Sequence, residues 1–286
     1  MSEQAEQQSN QAFCASLVRG SDFERYAATL FTAPERRRAL LALFAFNIEV
    51  ARIREQISQP LAGEIRLQWW SDLLAGTAHG DAVGNPVAAE LLGAIEQHAL
   101  PRAQLDRIIE AHRFDLYDEP MATFAELNSY LEDTASALFC LGDHMLGGQP
   151  DDELMHCAGL ALGLTRMIEA LPHHASRGQL YLPLDELGRS GVAVADVFAG
   201  RSTPELKQLL QKLATKAREH LKLALARLSL SRTSARTVLL PLALIDRKLR
   251  RMTSASYDPF EVQAAPSNLA TLWTLWRASR REPFRG

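Results

Sequence analysis

The chain has 286 residues, 47% of them hydrophobic and 23% charged, with a formal net charge of −3. That composition describes a globular protein able to bury one large core or two smaller ones without covalent staples. A chain with no basic surplus has little means of displacing counterions from phosphates, which excludes a nucleic-acid binder. Its three cysteines, Cys14, Cys140 and Cys157, stand far apart with no C-x-x-C spacing. They indicate neither a disulfide framework nor a zinc knuckle, and a reducing compartment is expected.

The opening MSEQAEQQSNQAF has glutamates and no arginine before Arg19, unlike a secretory signal or an Arg-rich presequence. Residues 1–12 are expected to be a disordered polar tail, ahead of one helical domain over 13–286. Pro34 opens a helix through ERRRALLALFAFNIEVARIREQI, and Pro60 separates it from EIRLQWWSDLLAG, which stops at Gly76. Further helices are predicted at roughly 86–99, 102–117, 123–147, 152–171, 204–229, 233–251 and 267–280. Apolar residues recur at three- and four-residue spacing, as in Leu206, Leu209, Leu210 and Leu213, and strand-like alternation is nearly absent. The fold class is therefore all-α, a single-domain helical bundle. Residues 172–203, rich in Gly and Pro, are expected to mix loop with short helical turns. The apolar stretch TVLLPLALI is about half of the ~20 residues a spanning helix needs, so nothing is expected to cross a membrane. RALLALFAFNIEV and HCAGLALGLTRMIEAL are apolar on more than one face, as helices inside a bundle are. Gly159 and Gly163, four apart in the second, admit close approach of a neighbouring helix or of a ligand in a central cavity.

His173 and His174 invite a metal reading. Adjacent residues on a helix point about 100° apart, whereas helical zinc ligands come at i and i+4. Pro172 also biases Leu171 away from helical geometry, so a kink or an end is expected there. Neither histidine is expected to hold a metal, and no Ser or Cys nucleophile is placed beside them for a triad. Asp115 and Glu119 have the i, i+4 spacing that holds magnesium against a diphosphate; a solvated helix end before Pro120 is the preferred explanation. Phosphate-binding Gly-rich loops are missing.

FERYAATLFTAPERRRALLALFAFN, RLQWWSDLLAG and LALGLTRMIEALPHHASRGQLYLPLDEL resemble, in order and spacing, three blocks of the squalene/phytoene synthase family. The resemblance implies the all-α isoprenoid synthase fold, with a central cavity for prenyl chains and two D-x-x-x-D motifs that bind magnesium and diphosphate. Aligned with the first motif, Ala51 and Glu55 take the two aspartate positions and Ile48 that of an arginine. Aligned with the second, Ala170 and His174 take the aspartate positions and Glu169 that of an arginine. Arg52, Trp69 and Gly163 are expected as further cavity contacts, with Thr165, Arg166, His173, Arg177 and Tyr181. One carboxylate of four survives, so no metal or other cofactor and no catalytic residue is expected. The same losses resemble the branch that includes the mitochondrial complex I assembly factor of this family, regarded as non-catalytic.

Trp69 and Trp70 occupy consecutive helical positions, which sends one to the core and the other to a surface or cavity mouth, unless both pack inside. Leu269, Leu272, Trp273 and Trp276 form a helical stripe beside Arg277, Arg280, Arg281 and Arg285, the pattern of an interfacial helix or of a terminal helix docked on the bundle. Arg36, Arg37 and Arg38 are expected as a solvated first turn. Three functions follow. The first is a non-catalytic assembly factor with a respiratory complex I subunit or intermediate as partner. The second is an active prenyl transferase with magnesium on Glu55, Asp115 and Glu119. The third is an isoprenoid or lipid carrier. The expected location is cytoplasmic, peripheral on the inner membrane, or on the matrix side in a mitochondrial counterpart.

Overall fold

The structure is a computed structural model that describes residues 3–78, 84–230, 234–261 and 266–281. Every regular element among the described residues is helical, as the spacing predicts. In chain order they are α1 (Glu3–Ser21), α2 (Phe23–Thr29), α3 (Pro34–Ala51), α4 (Pro60–Ala75), α5 (Pro86–His98), α6 (Arg102–Ala111), α7 (Phe124–Leu131) and α8 (Ala137–Met145). They continue with α9 (Asp152–Glu169), α10 (Leu171–Ser176), α11 (Leu184–Ser190), α12 (Val194–Phe198), α13 (Pro204–Leu230), α14 (Leu242–Met252) and α15 (Asn268–Ser279). A π turn, Glu132–Ser136, lies between α7 and α8. No described helix is long and apolar enough to cross a membrane.

Local chemistry sets the boundaries. Prolines open α3, α4 and α5, where a missing N–H leaves no intrahelical bond unmade. The Asn85 side-chain oxygen Oδ1 accepts from the amides of Val87 and Ala88 at 2.9 and 3.0 Å, capping α5. Gly76, with φ +76°, ends α4 in the left-handed conformation that glycine adopts at little cost.

The chain divides into two compact units. The first draws on the described parts of 1–117, 137–151 and 232–241. In it α1 packs on α3 and α5, and α3 also on α8, around the fully buried Leu40, Leu43, Phe46, Leu91 and Leu105. The second draws on 118–136, 152–231 and 242–286. Its centre is α9, packed on α13, α14, α7 and the π turn, with Leu154, Leu160, Leu164 and Ile168 all buried.

Three expectations change. Residues 3–12 are helix rather than tail; Cys14 and Val18 are buried, and a helix anchored through them propagates toward its polar start at small cost per residue. Residues 1 and 2 lie outside the described residues. The 102–117 helix stops at Ala111, with a separate 3-10 turn at Phe114–Leu116. The 233–251 helix begins only at Leu242, because Pro241 cannot continue a helix from the residues before it. Between 172 and 203 the expected mixture holds, the helical parts being the short α10 to α12.

Candidate functional site

In the first unit, α3 ends at Ala51 and the chain tightens into a 3-10 turn over Ile53–Gln56. The Glu55 amide bonds the carbonyl of Arg52, three residues back, at 3.0 Å. A D-x-x-x-D motif needs an α-helical turn to bring positions i and i+4 to one face. Here the α-helical register gives way to a 3-10 turn between Ala51 and Glu55. Ala51 and Arg52 are half-buried and Glu55 is exposed, while Ile48, at the arginine position, is buried.

The second unit reverses that balance. α9 ends at Glu169 and α10 restarts at Leu171, with Pro172 in its first turn. The proline thus marks a break rather than an end. The His174 amide still bonds the Ala170 carbonyl at 2.9 Å, so the two positions remain one helical turn apart. The turn is kept, and neither residue carries a carboxylate. The His174 ring lies 4.6 Å from that of Tyr181, which lies 5.6 Å from that of Tyr130. Gln179 turns back so that its amide bonds the His174 carbonyl at 3.0 Å, through Gly178 at φ +73°. Glu169 forms an ion pair with Lys248 of α14 at 3.0 Å. Tyr257 is buried close by; burial, opposed by Arg251 and reinforced by the charges of Glu169 and Asp258, pushes its phenol up to about 12.

Other candidates fall into place around these. Thr165 is fully buried and its hydroxyl bonds back to the Ala161 carbonyl at 2.7 Å. Arg166 is half-buried, while His173 and Arg177 are exposed. A Cβ on Gly163 would stand 2.7 Å from Leu131, and one on Gly159 would stand 1.9 Å from the Ser136 hydroxyl. Both glycines therefore admit a neighbouring helix. Trp70 is buried edge-on to Phe46, and Trp69 is half-buried against Trp70 at 5.0 Å. Trp69 also lines an open groove of about 410 Å³ with Ile65, Gln68 and Arg113.

Asp115 and Glu119 do not form a helical pair. Asp115 sits in the 3-10 turn, buried, with its carboxylate 2.6 Å from His112 Nδ1, and Glu119 is exposed on irregular chain. Among the described residues no three His, Cys, Asp or Glu side chains converge as a metal site would require. Of the three arginines of α3, Arg36 is exposed as a solvated turn predicts, but Arg37 and Arg38 are half-buried and bonded. Arg37 donates to the carbonyls of Thr29, Leu30 and Thr32, and Arg38 makes a two-pronged bond to the buried Glu90 at 2.6 and 2.7 Å. Burial pushes the Cys14 thiol up to about 12, assisted by the charges of Glu90 and Glu49, which makes it inert. Lys248, Tyr257 and Tyr130 escaped the sequence reading because no local pattern ties them to 169–174; only tertiary folding brings them there.

Residues 18–277 match the squalene/phytoene synthase family. NADH dehydrogenase (ubiquinone) complex I, assembly factor 6, of Rattus norvegicus is 29% identical over 275 residues, covering 95% of this chain and 82% of the relative. Phytoene synthase 2, chloroplastic, of Solanum lycopersicum is 28% identical over 262 residues, covering 87% of this chain and 83% of the relative. A crystal structure of a dehydrosqualene synthase in complex with ligand aligns with a TM-score of 0.81 at 16% identity, over 96% of this chain and 98% of that one. At that identity the likeness is one of fold.

Proposed function

This chain belongs to the squalene/phytoene synthase family, and from that premise we propose that it is a non-catalytic member acting in the assembly of respiratory complex I. One observation carries the reading: the 170–174 turn keeps its helical geometry but presents a methyl group and an imidazole packed on Tyr181. Magnesium takes oxygen ligands in near-octahedral order; alanine offers none and imidazole is a poor replacement. In the other block the surviving carboxylate, Glu55, has left the helical register. These donors do not fit a metal–diphosphate clamp, so the proposed protein works without magnesium. Similarity to an assembly factor along 95% of the chain supports the rest. The partner would be a complex I subunit or assembly intermediate, met on the cytoplasmic side of the inner membrane or in the matrix of a mitochondrion.

Removal of the gene from its host should lower assembled complex I on native gels, with recovery on re-expression. Normal complex I in the deletion strain would count against the proposal. The second reading, an active prenyl transferase, draws on the tomato phytoene synthase at nearly equal identity. Its proposed ligand set is weakened by Asp115, which is buried against His112. Incubation with farnesyl or geranylgeranyl diphosphate and magnesium decides between the two, since any C30 or C40 hydrocarbon product would favour the enzyme.

A further inference from the structure

On α15 the docked side is the plainer one. Thr271, Leu275 and Ala278 are buried, and the helix packs on α14. Leu269, Trp273 and Trp276 face the other way and are 78%, 59% and 40% exposed. At ~100° per residue, positions 269, 273, 276 and 280 fall within a sector of about 60°. Leu272, on its flank, is half-buried. The two indoles stack at 5.0 Å and 24°, and the Arg280 guanidinium lies 4.9 Å from the Trp276 ring centre. Arg277, Arg280 and Arg281 are all exposed; Arg285 lies outside the described residues. From Asn268 to Arg281 the sequence has three arginines and no acidic residue, in a chain of net charge −3.

We propose that α15 is a membrane-surface anchor. Leu269, Trp273 and Trp276 enter the interfacial layer of a bilayer containing anionic phospholipid, while Arg277, Arg280 and Arg281 bind its phosphates. Indole rings settle at headgroup depth, where the ring leaves water and the N–H keeps a partner. Arginines at one end of the stripe add attraction to a negative surface. A free phosphate would use the arginines but gain nothing from a ridge of indoles, and an acid-free strip complements a uniformly negative surface. With no described helix able to span a bilayer, attachment lies in the plane of the surface. The proposal is independent of the part played in complex I assembly.

The full chain is mixed with vesicles of phosphatidylcholine alone, or of phosphatidylcholine with phosphatidylglycerol, and followed by flotation and tryptophan emission. Flotation with the anionic vesicles, a blue shift, and release by salt are expected. Trp273→Ala with Trp276→Ala should abolish the binding, and Arg277→Gln, Arg280→Gln and Arg281→Gln together should weaken it on the order of a hundredfold. Thermal melting should be unchanged in both variants, since the altered side chains are exposed. Failure of the unaltered chain to float with anionic vesicles, or flotation of both variants equal to that of the unaltered chain, would overturn the proposal. So would sedimentation showing a dimer of the wild-type chain that the tryptophan substitutions dissolve, since the face would then belong to a second copy.

Discussion

Under the family alignment Ala170, His174 and Glu169 stand where two aspartates and an arginine are expected, and two of the three have partners of their own. Glu169 faces Lys248, and the His174 ring is packed on Tyr181. The Ala170 and His174 substitutions are legible in sequence through the family resemblance, because the spacing to Pro172 and Tyr181 registers the block. Their new partners are not, since Lys248 is 79 residues from Glu169. Another pair hidden from sequence is His156 and His220, whose rings lie 6.0 Å apart. Burial, the neighbouring His156 and Lys216 hold His220 below its usual value, against Glu219, which raises it; His98 is lowered likewise by burial, Arg36 and His144. A histidine depressed on folding binds more protons when unfolded, so its contribution to stability is intact above about pH 6.5 and is lost as pH falls toward the folded value. Urea midpoints should therefore drop between roughly pH 7 and 5. His98→Gln with His220→Gln should flatten that slope; an unchanged slope would refute the assignment.

At the scale of elements, the two segments aligned with D-x-x-x-D motifs differ. α3 gives way to a tighter 3-10 turn after Ala51, and α9 with α10 keeps an α-helical turn from Ala170 to His174. The helix starts at Pro34, Pro60 and Pro86 and the stop at Gly76 follow from local chemistry, which is why sequence locates them closely. α1 begins on the good helix formers Glu, Gln and Ala but is held by docking through Cys14 and Val18, and the early end of α6 depends on a tertiary turn that local propensity does not signal. The Gly159–Gly163 pair announces close approach, but only folding shows that the Ser136 backbone of the π turn fills the space. A Cβ at Gly159 would meet Ser136 Cα and N at 2.6 Å as well as its hydroxyl. Gly159→Ala should lower stability by about 1–3 kcal/mol in urea denaturation. Ser136→Gly should not restore it, because the backbone contacts remain. A neutral Gly159→Ala would show that the contact relaxes freely.

For the whole molecule, the family match over 18–277 runs through both compact units, so the fold is retained from nearly one end to the other. In the proposed reading what is missing is narrow: the oxygens that would hold metal against a diphosphate. Each ~1.4 kcal/mol of stabilisation missing from a transition state is a tenfold loss in rate, and leaving-group ionisation without metal ions forfeits several such factors. A chain under that handicap can still serve as a scaffold, since docking a partner requires a folded surface and no metal. The decisive measurement is calorimetry of the purified protein with a non-hydrolysable farnesyl diphosphate analogue, with and without magnesium. Heat of binding that is absent, or identical in the two titrations, is the predicted result. Binding that appears only when magnesium is added would contradict it.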